Sequence, residues 1–142
     1  MPFQWLDMRI GEEHDRRRRE ESIRRRLPEG LTELHTYLAS CVAEYTKAFG
    51  ANAAEIEFQN ERVHITVREE QPGRWEQQAK VEITVDLSMP GFRVERALGP
   101  LMIEVGLLPG DKLFYRDGEE FLTMEELTRR ILDQAFFPKL AE

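Results

Sequence analysis

IEFQNERVHITV, residues 56–67, is the stretch whose reading decides the fold. Ile56 and Phe58, then Val63, Ile65 and Val67, stand at every second position with polar residues between them, and Asn60-Glu61 interrupts the alternation midway. Side chains along a strand point alternately to opposite faces, so the pattern describes two strands with one apolar and one wet face, joined by a tight turn. The turn sets the register. Phe58 opposes Val63, Ile56 opposes Ile65, and on the wet face Glu57 opposes His64.

Toward the C-terminus, Val81, Ile83, Val85 and Leu87 carry the same alternation into a third strand, after a longer loop holding Pro72-Gly73. Matching apolar faces leaves two registers for this strand. One sets Arg68 against Lys80, a like-charge pair; the other sets Arg68 against Glu82, Thr66 against Thr84 and His64 against Asp86, and is the better match. FRVERALGPLMIEVGLLPG, residues 92–110, reads either as two strands or as a strand followed by an irregular segment. KLFYRDGEEFL, residues 112–122, has Asp117-Gly118 between apolar arms, the signal of another hairpin.

Helices flank the strands. Leu31, Leu34, Leu38, Cys41, Val42, Tyr45, Ala48 and Phe49 recur at three and four, with Glu33, Thr36, Ser40, Glu44 and Lys47 on the other side and Gly50 as a stop. Cys41 sits in that stripe, which reads as a buried, inert thiol, and His35 lies at its edge. At the other end, Thr123 with Glu126 makes a capping box, Leu122 and Leu127 a hydrophobic staple, and Leu127, Ile131 and Ala135 a buried stripe that Pro138 stops.

The N-terminal segment differs from the rest. In EEHDRRRREESIRRR, residues 12–26, every acid has an arginine four residues later, the favoured orientation on a helix. Pairing occupies most of the arginines and leaves seven against five acids, poor material for displacing counterions from a nucleic acid. No apolar side chain lies between Gly11 and Ser22, so this helix has no face to lay on a core. Pro28 is expected to end or kink it. Before it stand Phe3, Trp5, Leu6, Met8 and Ile10, an apolar tip on a polar rod. Either the tip reaches for a second copy of the chain, or it folds back onto its own domain.

The totals narrow the classes. At 142 residues the chain fits one domain able to bury a core without metal or disulfide, and a single cysteine excludes a disulfide framework. The formal charge of −7 makes an acidic protein whose averaged field repels phosphate backbones and anionic membranes. With no membrane-length apolar run and no leader-like start, a cytoplasmic location is expected. No phosphate-binding loop, nucleophile elbow or paired histidines at metal spacing occurs.

The expected fold is therefore α+β: an antiparallel sheet of about five to seven strands with two amphipathic helices on one face, residues 28–142, preceded by a polar helical arm, residues 1–27. The expected function is a non-enzymatic protein-interaction or assembly module, a homodimer or the partner of another protein, binding through Phe3, Trp5, Leu6, Met8 and Ile10; a second apolar end at Phe136, Phe137 and Leu140 points the same way. No cofactor or metal is implied. The alternative is an enzyme or small-ligand binder. It would use either a cavity lined by Phe58, Trp75, Phe92, Phe114 and Tyr115, or the row Glu57, His64, Asp86, in which two carboxylates flank an imidazole as in a proton-transfer group or a loose metal site.

Overall fold

A computed structural model describes residues 3–140. Its elements run α1 (Gln4–Phe49), β1 (Ala54–Gln59), β2 (Arg62–Gln71), β3 (Arg74–Asp86), β4 (Gly91–Glu95), β5 (Leu101–Leu108), β6 (Lys112–Asp117), β7 (Glu120–Leu122) and α2 (Met124–Phe136). The strands form one seven-stranded antiparallel sheet in the order of the chain. Both helices pack on its apolar face, the α+β arrangement expected from the alternation of periods.

Residues 92–110 resolve into two strands, β4 and β5. The Asn60-Glu61 turn forms as read, with both residues at positive φ (51° and 57°), the pair of left-handed conformations that a tight hairpin turn requires. Ile56 opposes Ile65, Phe58 opposes Val63, and Glu57 opposes His64. Thr123 accepts from the Glu126 amide while the Glu126 carboxylate accepts from the Thr123 amide, closing the capping box of α2.

Two expectations fail. Pro28 does not end a helix: the charged segment and the Leu31–Phe49 segment are one continuous helix of 46 residues, about 69 Å long. Proline lacks the N–H that would bond the Arg24 carbonyl, a loss of about 3 kcal/mol in a helix interior. Burial outweighs it here. Ile23 and Leu27 before the proline and Leu31, Leu34, Leu38 and Val42 after it form one stripe on one core, and the exposed Pro28 ring intrudes on nothing inside. Each fully buried leucine contributes about 1.5–3 kcal/mol, so Leu27 before the proline and Leu31, Leu34 and Leu38 after it outweigh the missing bond and keep the helix continuous.

The second failure is the loop at Pro72-Gly73. These two residues are themselves the turn, Gly73 at φ 78°, and β2 and β3 form a long hairpin that begins at Gln71 opposite Arg74. A bulge at Val67/Arg68 shifts the register by one, and the Arg68 amide donates instead to the Ala53 carbonyl at 2.7 Å. His64 therefore opposes Glu82, and Asp86 lies beyond the end of β2, opposite Gly91.

Gly30 of α1 faces side chains of β6. A Cβ there would sit 3.3 Å from Leu113 Cδ1 and from the Tyr115 hydroxyl. Burial pushes the Tyr115 phenol pKa well above its ordinary value. Arg24 donates to the Leu87 carbonyl at 2.8 Å and Arg26 to that of Asp111, so the last arginines of the charged run latch the helix to two sheet turns.

Because burial offsets a missing backbone bond at Pro28, Pro28→Ala should raise the stability of the chain by about 1–2 kcal/mol, the restored hydrogen bond exceeding the unfolded-state entropy lost with proline. Urea unfolding checks it; an unchanged or lowered midpoint would mean that the helix carries no strain at this position.

Candidate functional site

The outer face of the sheet, away from the helices, carries the expected row in altered form. Glu57 and His64 are neighbours across β1 and β2, and the third member is Glu82 in place of Asp86. His64 Nε2 lies 4.0 Å from Glu82 Oε2 and makes no hydrogen bond. Glu82 also pairs with Arg62 at 3.4 Å. Around them run further pairs of the same kind: Arg68 with Glu55 at 2.8 Å, and Arg116 with Glu104 across β5 and β6. Shallow depressions at His64 are lined by Glu57, Thr66, Lys80 and Arg62. Among the described residues no group of three or more His, Cys, Asp or Glu is arranged to hold a metal ion. The face is a ladder of cross-strand charge pairs, each worth a fraction of a kcal/mol in water, and it needs no ligand to account for it.

Asp86 does something else. Its Oδ1 accepts from the Ser88 hydroxyl at 2.7 Å, the Ser88 amide at 2.9 Å and the Met89 amide at 3.4 Å, tying down the turn between β3 and β4. These bonds, the hydroxyl first, hold its carboxyl below the ordinary value of 3.8.

The five aromatic residues expected to line one cavity are dispersed. Phe92 and Tyr115 stack inside the core, Phe58 meets His35 at a ring distance of 4.7 Å, and Phe114 meets Phe121. Trp75 stands apart at the far end of α1, against Gly50. The cavity those rings were to form does not exist.

Two other places are chemically conspicuous. The first is the N-terminal part of α1. From Gln4 to Ser22, about 28 Å of helix, no residue is buried, and Ile23 is the first buried side chain. Arg16 pairs with Glu13 and Glu20, Arg17 with Glu13 at 3.3 Å, Arg18 with Asp15 and Arg25 with Glu21 at 2.7 Å, so the rod holds itself together by neutralising its own charge. At its end Phe3, Trp5, Leu6, Met8 and Ile10 are all exposed, Trp5 by 67% and Met8 by 68%. They do not fold back onto the domain.

The second place lies at the opposite end of α1. The stripe read from the sequence is longer than the core: Leu38 and Val42 are buried, Tyr45 is half-buried, and Ala48 and Phe49 are exposed. α2 ends beside them. Tyr45 stacks on Phe136 with ring centroids 4.2 Å apart, and Phe49 and Phe137 close the cluster edge-on. Gln78 of the β2–β3 hairpin donates to the Ala135 carbonyl at 2.9 Å, fixing the end of α2. Between the two helices an apolar, open-sided groove of about 470 Å³ runs along Cys41, Tyr45, Ala48, Leu132 and Phe136. Among the described residues no helix is long and apolar enough to cross a membrane.

Comparison with protein-family models, with curated proteins and with solved structures finds no match to this chain. The tip was legible from composition. The groove was half legible, since the stripe ran to Phe49 and a second apolar end stood at Phe136 and Phe137, but that the two meet is decided by the packing of α1 on α2.

The Asp86 turn yields a pH test. A carboxyl held below its ordinary pKa stabilises the fold at pH values above about 4 and loses that contribution as pH falls through the lowered folded value. Asp86→Ala should therefore lower the urea midpoint at pH 7, by a margin that narrows as the pH falls and the parent's carboxyl protonates, and carboxyl NMR should show the Asp86 titration rising toward the ordinary value in Ser88→Ala. A titration unmoved by Ser88→Ala would show that the hydroxyl contributes nothing.

Proposed function

We propose that this chain is a non-enzymatic assembly module that associates with a second copy of itself through the N-terminal arm of α1. One observation carries the reading: a polar rod, in which no residue from Gln4 to Ser22 is buried, holds five large apolar side chains exposed at its end. A terminal apolar cluster that served only its own domain would be buried by it.

Rough magnitudes favour a reciprocal pair. Burying a large apolar side chain completely contributes about 1.5–3 kcal/mol, so five half-exposed ones contribute on the order of 5 kcal/mol per tip. Association costs about 4–15 kcal/mol in lost freedom. One buried tip barely meets that cost, whereas two related by a two-fold axis exceed its lower range without new chemistry. The charge-paired rod between tip and domain sets the distance at which the second copy is engaged. The outer face of the sheet, a ladder of ion pairs, supplies solubilising charge.

Light scattering after size exclusion tests the reading. The intact chain should show twice its 16.7 kDa mass, and a chain carrying Trp5→Glu, Met8→Glu and Ile10→Glu, all exposed positions, should show the single mass with an unfolding midpoint that, unlike the parent's, does not depend on chain concentration. A monomeric intact chain at tens of micromolar, or a variant that still dimerises, would overturn it.

A further inference from the structure

We propose that the arm tip of one copy docks, as a helix, into the groove between the C-terminal half of α1 and α2 of the second copy. This rests on the arm-mediated self-association proposed above and names the surface that receives the arm.

The tip cannot satisfy itself. Leu6 and Tyr45 lie on the same uninterrupted helix, 39 residues and about 58 Å apart, so the two exposed apolar ends of α1 never meet within one copy. Side by side and antiparallel, two copies bring each tip to the other's groove. Such a contact is made twice about a two-fold axis and closes on itself, with no free end to propagate a filament.

The two surfaces match in shape and periodicity. Leu6 and Ile10 fall at i and i+4 on one face of the helix, the spacing by which an amphipathic helix anchors in an apolar groove, with Phe3 at the N-cap before them. The α1 wall of the groove offers Ser40, Cys41 and Ala48, side chains small enough for a second helix to approach closely, while Tyr45, Leu132 and Phe136 supply apolar contact. Without a partner, Phe49 at the end of this wall is 55% exposed.

Charge favours the same pairing over its rival, tip against tip. Residues 1–26 carry eight arginines against six acids, and the remaining 116 residues carry 12 bases against 21 acids. Arm meeting body is attraction between opposite nets; arm meeting arm is repulsion between like ones. Nor can two arms zip together, since the absence of apolar side chains between Gly11 and Ser22 leaves no seam and confines any contact to about two turns. At the rim of the groove stands Glu44, and in the tip stands Arg9, a further pair of opposite sign.

The sole cysteine of the chain, Cys41, lines the groove and reports on its occupant. A cysteine introduced in turn at Asp7, Ile10 and Gly11 of the full chain, exposed to oxidised glutathione, should give a reducible species of twice the chain mass for at least one position, and Cys41→Ser in the same background should abolish it. Ala48→Arg, at an exposed position, should render the chain monomeric by light scattering while it stays folded, with an unfolding midpoint that no longer depends on chain concentration. If the intact chain is dimeric but no link depends on Cys41 and Ala48→Arg still dimerises, the groove is not the receptor and the arm reading stands alone. Links that persist after Cys41→Ser join tip to tip and overturn the groove in favour of that arrangement. If the intact chain is monomeric under all conditions, the arm reading itself fails and this inference falls with it.

Discussion

Everything in this molecule depends on one apolar stripe of α1. Ile23, Leu27, Leu31, Leu34, Leu38 and Val42 lie along one side of the helix and are clamped to the sheet, with Gly30 leaving room for Leu113 and Tyr115 and with Arg24 and Arg26 bonded to carbonyls of two sheet turns. The stripe is shorter than the helix. Because it holds only the middle, both ends are left exposed: a charged rod with an apolar tip at one end, and Ala48 and Phe49 at the other. The same clamp keeps the helix continuous through Pro28, since a break there would separate two halves that are buried on one core.

The sheet shows how local chemistry outranks pattern matching in setting register. Apolar parity is satisfied equally well by any shift of two residues, so Val63, Ile65 and Val67 can face β3 in several ways. The turn decides. Pro72-Gly73 closes the hairpin directly, with Gly73 in a backbone region that other residues rarely adopt, and this pulls β3 past the registers that charge matching had selected. The bulge at Val67/Arg68 then moves the pairing by one more residue. Avoidance of like charges was a poor guide, because Glu69 does stand opposite Glu76, with Arg74 paired to Glu76 at 2.5 Å. On an exposed face such repulsion is small beside the geometry of a tight turn.

That correction dissolves the site that the sequence had suggested. His64 keeps one of its two expected carboxylate neighbours and gains Glu82, while Asp86 becomes a turn residue with three hydrogen bonds of its own. What remains on the outer face is charge pairing between strands. Apolar side chains gathered at the two ends of α1 are left exposed by the fold.

By itself the sequence determined the periodic elements: the period of two in residues 56–67 and the strands that follow, the Asn60-Glu61 turn, the capping box at Thr123 and Glu126, and the charge-laced helix with its apolar tip. These are legible because each depends on side chains a few residues apart, where spacing alone dictates which groups meet. Tertiary structure alone decided that α1 passes through Pro28, that β3 pairs with β2 where it does, and that the end of α2 lies beside the end of α1 to leave a groove. Each of those outcomes balances a local loss against burial or pairing contributed by residues distant in the chain. No window of sequence contains both sides of that balance.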